Sequence, residues 1–254
     1  MNNISKNIIN CRQNNKKIVI HEKDKMNLHF SDGYIIQNEI FNHYSKSEKF
    51  NAWKIGCTTK VMQEYLKIPS PCLGRVMKKN VYKGDSKLDF KNFIRPGVEC
   101  EIGVILSDEF DYTNEIKEFD KIIEKVVPSI EIVDDRWPDY SKENTPTLIA
   151  DDFFASTIVY GEGINIKDID NLSDLKGFMS SNNKIIGKGK GSDILDNPLN
   201  ALSWFLNFSF IGNNVPKAGD LISLGSIVQT YWVNKNDTIK IDIEKIGKVE
   251  VEFK

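Results

Sequence analysis

A chain of 254 residues, 40% hydrophobic and 28% charged, is long enough to bury a sizeable core in one large domain or a main domain with a small appendage, and its balance excludes a disordered or fibrous protein. A formal net charge of −2 leaves no basic field for nucleic acid or an anionic membrane surface. No apolar run approaches the roughly 18 residues that span a bilayer, the first residues lack the apolar stretch of a signal peptide, and the cysteines at 11, 57, 72 and 100 form no Cys-x-x-Cys pair, which together fit a cytoplasmic protein with reduced thiols.

Residues 1–50 read as a small helical region interrupted by a polar linker, and residues 51–254 as the main domain. Ser31-Asp32 can cap a helix over 33–44, with Tyr34, Ile35, Ile40 and Phe41 on its buried side. Residues 52–57 are strand-like and end in a Gly/Thr turn; 59–66 reads as a short helix. Residues 72–106 suggest strands separated by a Lys/Asp-rich turn at 83–88. Ile116, Phe119, Ile123 and Val127 recur at helical spacing and predict an amphipathic helix over 114–127, and 129–133 is strand-like. Lys188-Gly189-Lys190-Gly191-Ser192 lacks the spacing of a phosphate loop and reads as a turn. Asp196-Asn197-Pro198 opens the clearest helix, with Leu199, Leu202, Leu206 and Phe210 on one face and Gly212 as its stop. The remainder is β: 221–224, then Ile239, Ile241 and Ile243 in alternation, then Val249, Val251 and Phe253 beyond Gly247. Mostly alternating strands favour a mixed or antiparallel α+β fold over a doubly wound sheet.

The histidines, at 21, 29 and 43, are confined to the first fifth of the chain and form no His-x-x-x-His or Ser/His/Asp arrangement, which argues against a zinc protease or serine hydrolase. The chemistry-bearing pattern lies elsewhere. Val98, Cys100, Ile102, Val104 and Leu106 make one apolar strand face, and Glu99, Glu101 and Gly103 make the other. Side chains at i and i+2 point the same way, so both carboxylates leave one side of the sheet. Two neighbouring like charges repel, and a hard divalent cation with oxygen ligands resolves that. Glu131, between Ile130 and Ile132 in a second apolar run, can supply a third oxygen. Spacing alone favours a solvated sheet face, with Glu131 paired to an arginine.

An ordered series of segments adds to this. Trp53-Lys54-Ile55-Gly56 and Thr58-x-Lys60-x-Met62-Gln63 are followed by Val98-Glu99-x-Glu101-Ile102 and, about 30 residues on, by Glu131-Ile132-Val133-Asp134-x-Arg136. Ala150-Asp151, Asn197-Pro198-Leu199-Asn200-Ala201-Leu202-x-Trp204, Lys217-Ala218-Gly219-Asp220 and Leu224-Gly225-Ser226 continue it. From about Gly33 to the C-terminus the chain resembles the 2-keto-4-pentenoate hydratase and 4-oxalocrotonate decarboxylase branch of the fumarylacetoacetate hydrolase superfamily. Any one segment is a weak signal; the ordered series is specific.

The resemblance implies a mixed β-roll of the fumarylacetoacetate hydrolase C-terminal-domain type with peripheral helices, Mg2+ (or Mn2+) held by Glu99, Glu101 and Glu131, a small 2-keto acid substrate and a homo-oligomer. It implies an enolate-type reaction in which Lys54 carries the proton, with Lys60 as runner-up; desolvated beside a cation, Lys54 should have a lowered pKa. It also suggests that Asp134, Arg136 and Asp151 orient the ligand shell or a substrate carboxylate, and that Gly225 and Ser226 present donors to substrate oxygens. Each of these residues has a purely structural alternative: an ion pair, a strand end, or for Lys60 a solvated helix position.

Two segments depart from the family. Where hydratases commonly carry Asp before an aromatic-Gly step, this chain has Pro71-Cys72-Leu73-Gly74, so Cys72 stands where a carboxylate would position water. After Asp151, Asp152-Phe153-Phe154 replaces small residues, so Phe154 should reshape the pocket. The expected activity is therefore a metal-dependent hydratase of a 2-hydroxypentadienoate-like substrate. The alternatives are a 2-keto acid decarboxylase or other enolate-forming lyase, and a non-catalytic relative that binds metal and keto acid.

Overall fold

The computed structural model describes residues 1–112, 118–209, 212 and 214–254. Helix α1 (Asn3–Gln13) is capped by Asn2, whose side chain accepts from the Ile4 N–H, and turns Ile4, Ile8 and Ile9 inward. After the single turn of α2 (Glu22–Lys25) comes α3 (Phe30–Tyr44). It starts earlier than Ser31-Asp32 suggests, because the Asp32 carboxylate reaches back to the His29 N–H at 2.8 Å. Tyr34, Ile36 and Ile40 form its buried side, while Ile35 points outward.

The first strand, β1 (Phe50–Gly56), leads to α4 (Lys60–Leu66), capped by the Thr59 side chain, and then to β2 (Cys72–Met77). The turn expected at 83–88 is corrected to residues 84–85, between β3 (Val81–Lys83) and β4 (Ser86–Leu88). Next come the long β5 (Pro96–Leu106), one turn of α5 (Phe119–Ile122) and β6 (Ile123–Asp134). The helix expected over 114–127 is thus corrected over its second half; residues 113–117 lie outside the described residues. Ile123, Val126 and Val127 are β-branched, and β5 offers them a ladder running from Leu106 opposite Ile123 to Pro96 opposite Asp134. Pairing and burial override a periodicity that a short apolar run can only suggest.

Helix α6 (Thr145–Ala150) precedes β7 (Ala155–Tyr160), β8 (Ile164–Asn165), β9 (Lys176–Ser181) and β10 (Lys184–Lys190). The Lys188–Ser192 stretch is therefore a strand end rather than a free turn. Helix α7 (Pro198–Leu206) begins as expected, with Asn197 accepting from the Leu199 N–H. It stops at Asn207, before Gly212, and Phe210 lies outside the described residues. The chain ends in β11 (Leu221–Ser226), β12 (Tyr231–Trp232), β13 (Thr238–Ile243) and β14 (Gly247–Phe253).

These strands form two mixed sheets. The larger has the order β2-β1-β11-β5-β6-β7-β3, with β12 beside β5 and β8 beside β6; the smaller is β10-β9-β13-β14-β4. The pairs β1–β11, β3–β7 and β4–β14 are parallel. The apolar face of β5, Val98 to Leu106, packs in one core cluster with Ile241, Val249 and Val251 of the smaller sheet and with Ile8, Tyr34 and Ile40 of the N-terminal helices. With that face sealed, the opposite face of β5 and β6 carries the carboxylates. No helix among the described residues is long and apolar enough to cross a membrane.

Candidate active site

The β5–β6 register sets Glu99 directly opposite Glu131 and Glu101 opposite Ser129. One carboxylate oxygen from each of Glu99, Glu101 and Glu131 lies within 4.8 Å of the others. Glu101 and Glu131 are buried, at 1% and 0% exposure, and Glu99 is half-buried. Like charges opposite one another destabilise a ladder, and burial removes the water that would screen them. The protein answers only part of this demand. The Ser223 hydroxyl and the Gly225 N–H (3.3 Å) donate to Glu101, the Thr230 hydroxyl donates to Glu99 at 2.6 Å, and Lys54 Nζ lies 3.1 Å from Glu131 Oε1. Glu101 Oε1 and Glu131 Oε2 are buried and accept no hydrogen bond from the described residues. Burial, reinforced by Glu131 and Glu99, pushes the Glu101 carboxyl well up. Burial also pushes Glu131 up, to about 7, against the pull of the Lys54 ammonium and with the push of Glu99. Three oxygen-donor carboxylates facing one ammonium, with two buried oxygens unused, suit a hard divalent cation.

Lys54 reaches this group from β1, three strand spacings from β6 in the order β1-β11-β5-β6. On a flat sheet those spacings amount to roughly 14 Å, so the 3.1 Å contact requires the sheet to curl. Gly74, opposite Lys54 on β2, makes room for it: a Cβ there would lie 2.3 Å from the Asp152 carbonyl oxygen and 3.1 Å from Lys54 Cε. Burial alone favours the free amine, but Glu131, Glu99 and Glu101 outweigh it and hold Lys54 above its ordinary value. The expected lowering is corrected here: spacing identified the lysine, but the sign depends on how many carboxylates surround it.

A cavity of ≈ 540 Å³ opens on this group, and Lys54, Glu99, Phe153, Phe154 and Ser226 line it. Gly225, at φ 127°, brings its N–H to Glu101, and a Cβ there would lie 2.3 Å from Thr58 Oγ1. Other candidates lie elsewhere. Lys60 is exposed on α4 and is not part of the cavity wall. Cys72 is wholly buried opposite Gly56. A hydrogen bond with Cys57 and burial raise its thiol well above the usual range, and it too is absent from the wall. Asp134 accepts from the N–H groups of Ile94 (2.9 Å) and Arg95 (2.8 Å). Arg136 donates to Asp151 (3.0 Å) and to the Ala155 carbonyl (2.9 Å), and Asp151 also accepts from Arg12 of α1 at 2.7 Å. Asp134 and Arg136 line a separate cavity of ≈ 360 Å³. Asp151 thus joins Arg12 of α1 to Arg136, while Asp134 holds the backbone at Ile94 and Arg95.

Sequence reasoning missed Thr230 and Ser223, which hold the carboxylates, and Tyr140 and Trp232, which complete the cavity wall. Ser223 stands two residues before the recognised Gly225-Ser226 and could have been found by strand alternation; the other three carry no periodic signal. Also unforeseen was the backbone of Asp152–Phe154, with φ of 52°, 49° and 67° at successive non-glycine residues. Such conformations are costly and persist only where neighbours enforce them. Arg12 holds Asp152 at 3.0 Å, the Arg75 N–H donates to it at 3.3 Å, and the turn presents Phe153 and Phe154 to the cavity.

The fold and the carboxylate centre agree with a family assignment. Residues 79–254 match the fumarylacetoacetate (FAA) hydrolase C-terminal model, and the chain belongs to that family. It is 28% identical over 226 residues to the 2-keto-4-pentenoate hydratase of Burkholderia vietnamiensis (strain G4 / LMG 22486), covering 87% of this chain and 84% of the relative. It is 24% identical over 230 residues to the 2-oxo-hept-4-ene-1,7-dioate hydratase of Escherichia coli, covering 87% and 86%. Among solved structures it resembles 4-oxalocrotonate decarboxylase from Pseudomonas putida G7, complexed with magnesium and adipate, with a TM-score of 0.88 at 22% identity over 99% of this chain and 96% of that one.

Proposed function

We propose that this chain is a divalent-cation-dependent carbon–oxygen lyase that hydrates a small 2-keto-alkenoate. The observation that carries the reading is the convergence of three carboxylates within 4.8 Å, Glu99 on the wall of a cavity and the other two buried with unused oxygens. The hydratase names of the curated relatives support the reaction class, and the magnesium complex of the decarboxylase supports the choice of Mg2+, with Mn2+ as the alternative.

Glu99, Glu101 and Glu131 would hold the cation. When bound, it supplies positive charge to the keto oxygen and neighbouring carboxylate of the substrate. Lys54 Nζ, on the cavity wall, carries the proton exchanged with the substrate carbon. The three carboxylates are what keep Lys54 protonated; once their charge is neutralised, burial draws its pKa down towards the range where it can both give and take a proton. Phe153, whose ring centroid is 5.3 Å from Nζ, shields the amine from water on one side.

A second reading, loss of carbon dioxide from a 2-keto acid, is favoured by one observation: Cys72 is buried outside the cavity, and Glu99 and Asp193 are the only carboxylates among the described lining residues. The group that hydratases use to position water has therefore no counterpart at that point. Incubation of the Mg2+-loaded protein with 2-hydroxypenta-2,4-dienoate in oxygen-18 water separates the two. Hydration predicts labelled 4-hydroxy-2-keto acid that is lost with a chelator. Failure of this substrate to take up label, together with carbon dioxide release from 2-keto diacids, would overturn hydration.

A further inference from the structure

The names of the relatives cover both monoacid and diacid substrates, so the family does not settle what the far end of this cavity accepts. The wall does. Tyr140, Phe154 and Trp232 form a chain of rings, Tyr140 to Phe154 at 5.5 Å and Tyr140 to Trp232 at 6.5 Å between centroids, and Phe153 lies edge-on to Phe154 at 5.4 Å. At the mouth, α4 adds Val61 and Met62, which are 74% and 41% exposed although apolar. Apolar side chains left in water beside a cavity are the surface that an apolar ligand would cover.

Charge points the same way. Lys54 is the only cationic side chain among the described lining residues, and it is committed to Glu131 at the base. Arg95, beside the wall residue Trp232, has its guanidinium 4.2 Å from that ring centroid and is paired to Asp135 at 3.0 Å. It is not part of the wall. The two acidic side chains on the wall, Glu99 and Asp193, offer an anionic tail no attraction. A ligand carboxylate at that end would meet no cation on the wall, only neutral donors such as Thr59, Tyr140, Gln229 and Trp232.

We propose that the site also takes 2-keto monoacids whose far end is extended by an apolar or aromatic tail, beyond the small 2-keto-alkenoate of the proposed function, and discriminates against keto diacids, the tail lying against Phe154, Tyr140 and Trp232 beside Val61 and Met62. This rests on the keto-acid reading of the carboxylate centre and goes with hydration, since the decarboxylation reading takes a 2-keto diacid. The tail surface is built by the left-handed Asp152–Phe154 turn.

The test is calorimetric binding to the full chain with Mg2+ present, using oxalate, 2-oxobutanoate, 2-oxo-4-phenylbutanoate and 2-oxoadipate. The phenyl tail should tighten binding about tenfold or more over 2-oxobutanoate, the order expected for burying one aromatic group, and 2-oxoadipate should bind more weakly than 2-oxobutanoate. In Met62→Arg, a change at an exposed helix position, 2-oxoadipate should overtake 2-oxobutanoate. Equal or tighter binding of 2-oxoadipate by the unmodified protein would overturn the proposal and leave the keto-acid reading intact. Absence of Mg2+-dependent oxalate binding would overturn both.

Discussion

Replacing Glu131 by Gln tests the carboxylate centre through two effects of opposite sign. In the metal-free protein Glu131 is fully buried, faces Glu99 across the ladder, and has its carboxyl pushed up to about 7 from 4.5. A carboxyl whose pKa is raised by folding contributes stability below its unfolded value, and that contribution is lost as pH rises through the folded value. With the ordinary 4.5 and the folded value of about 7, ionised Glu131 costs the metal-free fold roughly 3 kcal/mol at about pH 8. Glutamine removes that cost. It also removes the 3.1 Å partner of Lys54, although Glu99 and Glu101 still face the ammonium. The net gain expected in chelator at about pH 8 is therefore about 1–3 kcal/mol, a rise in Tm of roughly 3–9 °C for a chain of this size. At about pH 5, where the carboxyl is largely protonated when folded, the gain should shrink to under about 1 kcal/mol.

Mg2+ should then act in the reverse direction. A cation at 100 times its Kd stabilises the unmodified protein by about 2.7 kcal/mol, and Glu131→Gln should lose most of that increment. Thermal unfolding by circular dichroism, at the two pH values with chelator or Mg2+, reads all four conditions. A variant less stable than its parent in chelator at about pH 8, or one stabilised by Mg2+ as much as the parent, would refute the claim that three buried carboxylates meet for a cation.

Two further substitutions probe how the site is held. In Gly74→Ala the new Cβ would stand 2.3 Å from a backbone oxygen and 3.1 Å from Lys54 Cε; overpacking of this kind costs about 1–3 kcal/mol, and displacement of Lys54 should lower turnover about tenfold or more while Mg2+ binding by calorimetry stays within about threefold. In Arg12→Ala the buried Asp151 and Asp152 lose the guanidinium that reaches them at 2.7 and 3.0 Å; breaking such a buried pair costs about 3–5 kcal/mol, and urea unfolding should show it as a lower midpoint.

The strand patterns were legible wherever one face is sealed. The alternation in 98–106 is β5, and the alternating isoleucines of 239–243 are β13, because a period of two survives when a second sheet covers one face. Legibility failed at 123–127, where Ile123 and Val127 also fit a helical repeat, and only the eleven-residue β5 lying alongside decides between the two. It failed again at the end of α7, where the run of leucines continues towards Phe210 but the helix stops at Asn207. Local periodicity carries no information about what is packed against it.

The site shows the same division more sharply. Glu99 and Glu101 on one face follow from chain geometry, but their meeting with Glu131 is a matter of register between strands, which spacing along one strand does not contain. Lys54, Ser223 and Thr230 come from three further segments, brought together by a sheet that curls. Their charges had to be counted in space before the sign of the Lys54 shift could be known. The features that broke local rules are the ones grouped here: a like-charged pair directly opposed in a buried ladder, two orphaned carboxylate oxygens, and three consecutive left-handed residues holding phenylalanine rings at the cavity. Each is unfavourable for the fold by itself, and each becomes intelligible if the cavity holds a cation and a ligand that supply the charge and the apolar contact.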